Sequence, residues 1–224
     1  MARETLSREQ IIRAAIEVLD ADGLEGLNMR RLGYHLGCAP TAVYWHVHSK
    51  DELVVLAADE LWDEISRPDP EVLGWREAAA IMARDLYAMI TRHLWLAQAM
   101  GGYFIYGPRK AGHDDYAIGV YEAGGFAGRQ LDAAMNTVAM YVTGCALRDS
   151  AEAAMQRRLG PDPESQAEQL RKIMQEVTET VMAYPRLRAR AEAYLDPDQV
   201  GSLRGFEWGL ETIFDGLQAR PAPS

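Results

Sequence analysis

The side chains best suited to contacting a nucleic acid lie between Ala39 and Lys50, in the run Ala-Pro-Thr-Ala-Val-Tyr-Trp-His-Val-His-Ser-Lys. This run is too short for a full structural helix. It concentrates aromatic rings, imidazoles and an amine, which can stack on bases or contact phosphates. A short helical segment ending at Gly37 precedes it, so the two form a helix, a tight turn and a second helix. In that arrangement the second helix lies in the major groove of duplex DNA. The sequence therefore predicts a protein that reads DNA.

The distribution of charge supports this interpretation although the chain as a whole is acidic. The 224 residues carry a formal net charge of −10, whereas the phosphate backbone of DNA favours positively charged partners. None of the 33 acidic residues lies between Gly26 and Lys50, and that window contains Arg30 and Arg31 as well as Lys50. We therefore expect one small cationic face on an otherwise acidic body.

The composition indicates a globular chain of one or two lobes. At 224 residues and 48% hydrophobic composition, the chain is long enough to bury a substantial core. No apolar run approaches the ~18 residues that span a bilayer, and the first residues lack the apolar stretch of a secretory signal. The two cysteines, Cys38 and Cys145, are far apart and offer neither a disulfide framework nor a zinc site. We expect a cytoplasmic protein with no membrane partner, no metal and no cofactor.

Capping signals define the helices that position the DNA-reading run. Ser7 begins a first helix with a capping box, and the apolar periodicity of that helix runs to about Ala21. Asn28 is a good N-cap for the second helix. Another capping box at Ser49 begins a connecting helix over 49–66, which leads out of the DNA-reading unit.

The rest of the sequence reads as further helices separated by glycine and proline pairs. We count about ten helices in all and no convincing strand. The predicted fold is therefore all-α. It has an N-terminal three-helix helix-turn-helix domain at 1–48 and a larger helical domain for ligand binding and dimerisation at 49–224, of which 49–66 is the connecting helix.

Two helices of the larger domain carry apolar residues at alternating steps of three and four, the spacing of left-handed helix packing. One repeat contains Leu131, Met135, Val138, Val142 and Cys145, and the other contains Leu203, Phe206, Leu210, Ile213 and Leu217. The pattern fits either the core of one chain or a subunit interface. One short helix contacts too few bases for useful specificity, so such domains usually act in symmetric pairs. We therefore expect a homodimer formed through these two helices.

These residues carry a resemblance to a known family. The stretches that carry it are Gly26-Leu27-Asn28-Met29-Arg30-Arg31-Leu32, Leu36-Gly37, and Val43-Tyr44-Trp45-His46-Val47 followed by Lys50. They resemble the DNA-binding domain of the tetracycline-repressor (TetR) family over about the first 66 residues. Trp75, His93 and the run from Thr143 to Asp149 resemble the second domain of that family more weakly. The resemblance implies a homodimeric, all-helical repressor that a small molecule releases from a palindromic DNA operator.

The same resemblance implies a set of DNA contacts. Arg30 matches a residue that reaches a base or a phosphate, and Lys50 matches a phosphate contact. The full predicted set is Asn28, Arg30, Pro40, Thr41, Ala42, Tyr44, Trp45, His46 and Lys50. Pro40 stands where the family pattern has a glutamine that reads adenine, so the family's operator sequence does not carry over to this chain.

The ligand positions depart further from the family pattern. Polar residues that hold tetracycline and its magnesium are replaced by Ile65 or Ser66, Met82 and Met100, and a thioether is a poor ligand for magnesium. We therefore expect a metal-free pocket for a mainly apolar, aromatic inducer. Its predicted lining residues are Ile65, Met82, Leu86, Met100, Tyr103, Phe104, Tyr116 and Met135.

Two other functions compete with a ligand-released repressor. His113 beside Asp114 and Asp115 suggests an enzyme, but adjacent residues on a helix point apart. The sequence also has no glycine-rich phosphate loop, nucleophile elbow or zinc-protease motif. The second alternative is a regulator of the same fold that activates transcription, or one that senses a partner protein instead of a small molecule. A pocket filled by side chains would favour the partner-sensing version.

Overall fold

A computed structural model describes residues 6–159, 162–193 and 202–219 of the chain. Within these ranges the chain forms twelve α-helices, one short 3-10 helix and no strand, so the predicted all-α fold is confirmed with two more helices than the ten or so expected. The α-helices are α1 (Arg8–Gly26), α2 (Met29–His35), α3 (Pro40–Tyr44), α4 (Lys50–Glu60), α5 (Pro70–Leu73), α6 (Trp75–Arg92), α7 (Leu94–Gly102), α8 (Pro108–Ala123), α9 (Gly128–Arg158), α10 (Pro163–Met182), α11 (Pro185–Ala193) and α12 (Ser202–Gln218). None of the helices in these ranges is both long enough and apolar enough to cross a membrane. Helices α1 to α3 form the head of the molecule, and α5 to α12 form its body.

Helix α1 begins where the capping box predicts and has a kink near its predicted end. Ser7 Oγ accepts a hydrogen bond from the Gln10 backbone N–H at 3.2 Å, and the Gln10 side chain accepts one from the Ser7 N–H at 2.8 Å. At Gly23 the backbone adopts a φ of 69°, and helical turns continue beyond it to Gly26. The first regular helical stretch therefore ends at Gly23, close to the predicted end near Ala21, because glycine adopts this positive φ without steric strain.

The turn between α2 and α3 depends on two glycines. Gly37 has a φ of 64°, the left-handed conformation that commonly follows the end of a helix. Gly33 is buried within α2, and a Cβ atom on it would lie 2.9 Å from the carbonyl oxygen of Cys38 and 3.1 Å from the nitrogen of Pro40. The backbone around Pro40 therefore approaches α2 so closely that no side chain fits between them.

Helix α4 leads from the head into the body and is shorter than the predicted helix over 49–66. Its first turn is capped by Ser49 Oγ, which accepts a hydrogen bond from the Glu52 N–H at 3.0 Å. After eleven residues it tightens into the 3-10 helix Leu61–Glu64. Such a turn is common at a helix end because it satisfies carbonyl groups that have lost their α-helical partners. Pro68 lies shortly beyond, where it prevents the helix from resuming.

The two apolar repeats of α9 and α12 pack inside a single chain. The members whose side chains the structure describes are buried in the core or packed against it: Leu131, Met135, Val138, Val142, Cys145, Phe206, Leu210, Ile213 and Leu217. The side chain of Leu203 lies outside the described residues. The prediction that these residues form the subunit seam is therefore corrected. Steps of three and four show that a helix face is buried, but they do not show whether the covering helix belongs to the same chain.

Candidate DNA-binding surface and ligand cavity

Helix α3 presents one face to the core of the head and the opposite face to solvent. Val43 and Val47 are fully buried and fix the orientation of the segment. The predicted DNA contacts of this segment are exposed or half-buried: Pro40, Thr41, Ala42, Tyr44, Trp45 and His46. Trp45 exposes 85% of its surface, so packing within the chain does not explain its position. This face is available to a partner.

Two cations lie beside this face without partners. Arg30 on α2 and Lys50 at the start of α4 make no ion pair or hydrogen bond with the residues that the structure describes. Arg31, in contrast, pairs with Asp22. Lys50 occupies the N-terminus of a helix, where the helix dipole disfavours a cation. Arg30 and Lys50 are therefore placed to meet negative charge from outside the chain, as DNA phosphates would supply.

Asn28 has a structural role on this surface. Its Oδ1 accepts a hydrogen bond from the Arg31 backbone N–H at 2.9 Å and caps the first turn of α2. Its Nδ2 donates to the carbonyl oxygen of Gly26 at 3.5 Å. With both ends of the amide engaged, Asn28 acts by orienting α2, and with it Arg30.

One exposed aromatic residue on this surface was not among the predicted contacts. Tyr34 on α2 exposes 89% of its surface. The helix buries Met29, Leu32 and Gly33. Because these three residues face the core, the helical spacing turns the next residue, Tyr34, towards solvent. The apolar pattern of the sequence therefore already indicated that Tyr34 is exposed. Tyr34 joins Tyr44 and Trp45 as an exposed ring on the outer side of the head.

The body contains a cavity of about 160 Å³ between α6, α8, α9 and the 3-10 helix. The residues that line it are Trp62, Ala79, Met82, Ala83, Leu86, Lys110, His113, Asp114, Ala117, Tyr121, Met135, Asn136, Val138 and Ala139. Most of these side chains are apolar or aromatic. The cavity is therefore mainly apolar, with its polar groups concentrated on α8.

Three of the eight predicted ligand contacts line this cavity, namely Met82, Leu86 and Met135. The other five lie elsewhere in the structure: Ile65, Met100, Tyr103, Phe104 and Tyr116. The prediction that all eight share one pocket is therefore corrected.

Each of the displaced residues has a visible reason for its position. Ile65 is buried in the core. Tyr103 donates a hydrogen bond to Asp51 Oδ1 at 3.2 Å, because α7 packs against α1 and α4. Phe104, just beyond α7, exposes 88% of its surface. Met100 lies on α7, which does not line the cavity. The hydroxyl of Tyr116 donates a hydrogen bond to the carbonyl oxygen of Pro68 at 3.1 Å.

One side of the cavity, which we call the polar wall, consists of Trp62, Lys110, His113 and Asp114. Lys110 Nζ lies 2.6 Å from Asp114 Oδ2, one helical turn away on α8. It also lies 4.6 Å from the centre of the Trp62 ring. The ring of His113 also contacts Trp62, with 4.9 Å between the ring centroids. No ligand role was predicted for this wall from the sequence, because Trp62 and α8 become neighbours only through folding.

The polar wall carries no net charge. Lys110 and Asp114 form an ion pair, and burial lowers the pKa of His113 from 6.5 to about 4, with the nearby cations Lys110 and Arg67 acting in the same direction and Asp114 opposing them. His113 is therefore neutral at neutral pH. The indole nitrogen of Trp62 is buried and donates no hydrogen bond to any described residue.

Asp59 links α4 to the helix that carries the polar wall. This buried carboxylate accepts hydrogen bonds from the backbone N–H groups of Arg109 at 3.3 Å and Lys110 at 3.0 Å, in the first turn of α8. It thereby supplies the N-terminal cap that Gly107 cannot provide from its own side chain. A Cβ atom on Gly107 would lie 2.5 Å from Asp59, so glycine is required for this approach. We call this contact the Asp59 clamp.

A second polar contact joins α1 to the body. The buried ring of His93 lies with Nδ1 2.7 Å from Asp20 Oδ1 and with Nε2 2.9 Å from Glu64 Oε1. The indole N–H of Trp95 donates to the same oxygen of Asp20 at 2.8 Å. The head is therefore held against the body by directed hydrogen bonds as well as by apolar packing.

Comparison with known families assigns both parts of the chain. Residues 67–220 match the family described as tetracyclin repressor-like, C-terminal domain, and residues 11–57 match the bacterial regulatory proteins of the tetR family. The chain belongs to the TetR family of transcriptional regulators. It is therefore a DNA-binding regulator and not an enzyme, as the sequence predicted.

Individual relatives agree with this assignment. The HTH-type transcriptional repressor DrrR1 of Streptomyces coeruleorubidus is 31% identical, and the match covers 96% of this chain and 78% of the relative. The class A tetracycline repressor from transposon 1721 of Escherichia coli is 27% identical over 96% of this chain and 92% of its own. Among solved structures, ActR of Streptomyces coelicolor in complex with actinorhodin is similar with a TM-score of 0.73 and 27% identity, covering 97% of both chains.

Proposed function

We propose that this TetR-family regulator is a homodimeric repressor that leaves a palindromic operator when a small, mainly apolar molecule occupies the cavity of its body. The observation that carries the proposal is the connection between the two sites. Helix α4 begins at Lys50 on the DNA-facing surface, and the 3-10 helix that continues it places Trp62 in the cavity. A cavity that its side chains leave open favours a small-molecule signal over a partner protein.

The proposed DNA contacts are Arg30, Lys50 and the outer face of α3. Because the operator is not specified by the protein sequence, the test is selection of binding sites from random duplex DNA by the purified protein. We expect enrichment of a palindrome whose half-sites lie about one helical turn apart, roughly 34–36 Å. Recovery of DNA without any enriched sequence would contradict the proposal.

We place the dimer contact on the solvent-facing sides of α9 and α12, opposite their buried faces. The exposed residues that align along these sides are Ala133, Thr137, Met140, Gly144 and Leu147 on α9, and Gly205, Trp208, Thr212 and Gly216 on α12. Trp208 exposes 73% of its surface and Met140 exposes 67%. Large apolar side chains beside small residues on one face favour packing against a second copy, and a stable interface would bury on the order of 1,200 Å² or more.

The dimer proposal is tested by placing a charge on this face. Trp208→Glu or Met140→Glu should give a folded monomer by circular dichroism and light scattering. Operator affinity should decrease when the dimer dissociates, because the two separate heads lose their fixed spacing. Ile118→Glu, on an exposed site of α8, should leave the dimer intact. Leu217 is buried, so a charge there should unfold the chain and is uninformative about the interface.

We propose that the Asp59 clamp carries the signal from the cavity to the head. A ligand that displaces α8 moves the first turn of that helix, and the backbone hydrogen bonds to Asp59 transmit the movement to α4. A tilt of α4 then changes the separation of the two heads in the dimer. Coupling of this kind is typically worth about 1–3 kcal/mol and is reciprocal, so operator DNA should weaken ligand binding by the same factor.

The release step is tested in two stages. Aromatic compounds are first screened by thermal shift without added metal, and compounds that bind are titrated against the protein–operator complex. Asp59→Ala should retain binding of operator and of ligand but should reduce the effect of each on the other. Asp63→Ala serves as the matched control, because it removes only a side-chain pair with Arg109 on the surface. A ligand that binds tightly and leaves operator affinity unchanged would show that the cavity is not the switch.

A further inference from the structure

In the polar wall of the cavity the charged groups are paired with each other, whereas some hydrogen-bonding groups have no partner among the described residues. The one cation, Lys110, already has its counter-charge in Asp114, and the two side chains are both largely shielded from water. An additional anion placed beside this pair would face Asp114 in a partly buried site, and the only other cation near the wall among the described residues is Arg67, which is exposed to solvent. The free energy of burying an unpaired charge is strongly unfavourable.

The same wall offers hydrogen-bond donors that the protein does not use. The buried indole N–H of Trp62 has no acceptor among the described residues. Neither ring nitrogen of His113 has a hydrogen-bond partner among them, and the neutral ring can donate from one nitrogen and accept at the other. A buried donor without an acceptor is destabilising, so a ligand that supplies an acceptor gains an interaction that the described residues do not provide.

The remaining walls limit the size and polarity of the ligand. They consist of alanine, methionine, leucine and valine side chains from α6 and α9, together with Asn136 of α9 and with Ala117 and Tyr121 of α8. A cavity of about 160 Å³ holds about one aromatic ring without movement of the walls. A larger ligand must push the walls apart, and Trp62 is the wall residue nearest in sequence to α4.

We propose that the cavity selects uncharged aromatic molecules that carry a hydrogen-bond acceptor such as a carbonyl group, and that Asp114 excludes the corresponding anions by holding the charge of Lys110. This inference rests on the proposed ligand-binding function and specifies its ligand class. Trp62 and His113 bind the acceptor edge of the ligand, and the methionine and alanine side chains of α6 cover its ring. Asp114 is a specificity-determining residue that acts through Lys110.

The test compares two molecules of the same shape, benzamide and benzoate, by ligand-observed NMR titration of the purified protein without DNA at pH 7. For the wild-type protein we expect benzamide to bind at least about tenfold more tightly than benzoate, because only the anion leaves a buried charge unmatched. Tighter binding of benzoate would overturn the proposal, and so would the absence of benzamide binding at millimolar concentrations.

Two substitutions separate the charge argument from the hydrogen-bond argument. Asp114→Asn leaves Lys110 without its counter-charge, so the preference should reverse in favour of benzoate. Asp115→Asn, the adjacent and exposed position on the same helix, should leave the preference unchanged. Trp62→Phe keeps an aromatic ring against His113 but removes the indole N–H. This substitution should weaken the binding of benzamide by about tenfold. An unchanged preference in Asp114→Asn would refute the role of Asp114.

These measurements do not depend on operator binding. If benzamide is preferred but no ligand releases DNA, the ligand class stands and the proposed switch fails. If ligands release DNA but benzoate is preferred, the switch stands and the ligand class fails.

Discussion

The head and the body of this protein expose their functional groups in opposite ways. In the head, Arg30, Lys50 and Trp45 project outward and make no hydrogen bond or ion pair with the described part of the chain. In the body, the charged groups of the cavity are paired with each other, as Lys110 is with Asp114. The free cations of the head favour the proposed contact with DNA, and the paired ions of the cavity favour the proposed uncharged ligand. Unpaired surface cations favour a negatively charged ligand, whereas paired buried ions favour an uncharged one.

The first prediction concerns the close approach between Gly33 of α2 and the backbone around Pro40, which fixes α3 on the head. The largest loss of stability and of DNA binding is expected there. Gly33→Ala places a Cβ atom 2.9 Å from the carbonyl oxygen of Cys38, and that backbone cannot move aside without displacing α3. We expect a loss of about 3 kcal/mol in the free energy of unfolding, at the upper end of overpacking effects, together with loss of operator binding. Chemical denaturation measures the free energy of unfolding, and fluorescence anisotropy measures operator binding.

Gly119→Ala is the matched control for that substitution. It lies within α8, and a Cβ atom there meets nothing within 4 Å. It should leave the stability unchanged or raise it slightly, because alanine favours a helix more than glycine does. Equal effects of the two substitutions would show that the approach at Gly33 does not constrain the head.

The second prediction concerns the unpaired arginine of the head. Arg30→Ala should weaken binding to the selected operator by about 1–3 kcal/mol and relax the preference at particular base pairs, if its guanidinium reads a base. Arg31→Ala should have a smaller effect on affinity, because Arg31 is paired with Asp22 within the head. Competition binding with single-base operator variants measures both. Equal losses on operator and random DNA from Arg30→Ala would show that Arg30 contacts only the backbone.

Lys50 gives a third and smaller effect, because a phosphate contact does not depend on sequence. Lys50→Ala should weaken binding to operator and random DNA alike and reduce the slope of log K against log salt by about one unit. Titrations over a series of salt concentrations measure this slope. An unchanged slope would remove Lys50 from the contact surface and would weaken the contrast between head and body.

The last prediction tests the neutral state of the cavity, and its effect is small near neutral pH. The folded protein keeps His113 neutral down to about pH 4, whereas the unfolded chain protonates it near 6.5. Protonation therefore favours the unfolded chain, so the stability contributed by His113 is complete above pH 6.5 and decreases as the pH falls towards 4. The free energy of unfolding measured against pH should fall less steeply in His113→Gln than in the wild-type protein. Identical slopes would show that His113 is not held neutral by burial.

The exposed face of α3 was largely predictable from the sequence because its determinants are local. Val43 and Val47 had to face inward at their helical spacing, and this alone turned Tyr44 and Trp45 outward. The family resemblance then gave roles to positions that spacing could not distinguish. Tyr34 was missed although the buried residues of α2 point it outward in the same way.

The cavity was much less predictable because it joins segments that are distant in the sequence. Met82, Leu86 and Met135 were identified by residue type, but the same reasoning chose Phe104, which is exposed. Methionine and aromatic residues are equally suited to a core, a cavity wall and a surface loop, so their type does not decide their place. The polar wall could not be assigned, because Trp62 and Lys110 are brought within contact only when α8 packs against the end of α4.

The sequence by itself determined the helical class, the starts of the capped helices and the outward face of α3, since each depends on interactions over a few residues. Only the tertiary structure decided which chain buries the repeats of α9 and α12, which side chains line the cavity, and that Asp59 caps α8 from another helix. The physical reason is that helical periodicity specifies which face of a helix is buried, whereas the partner of that face depends on the packing of the whole molecule.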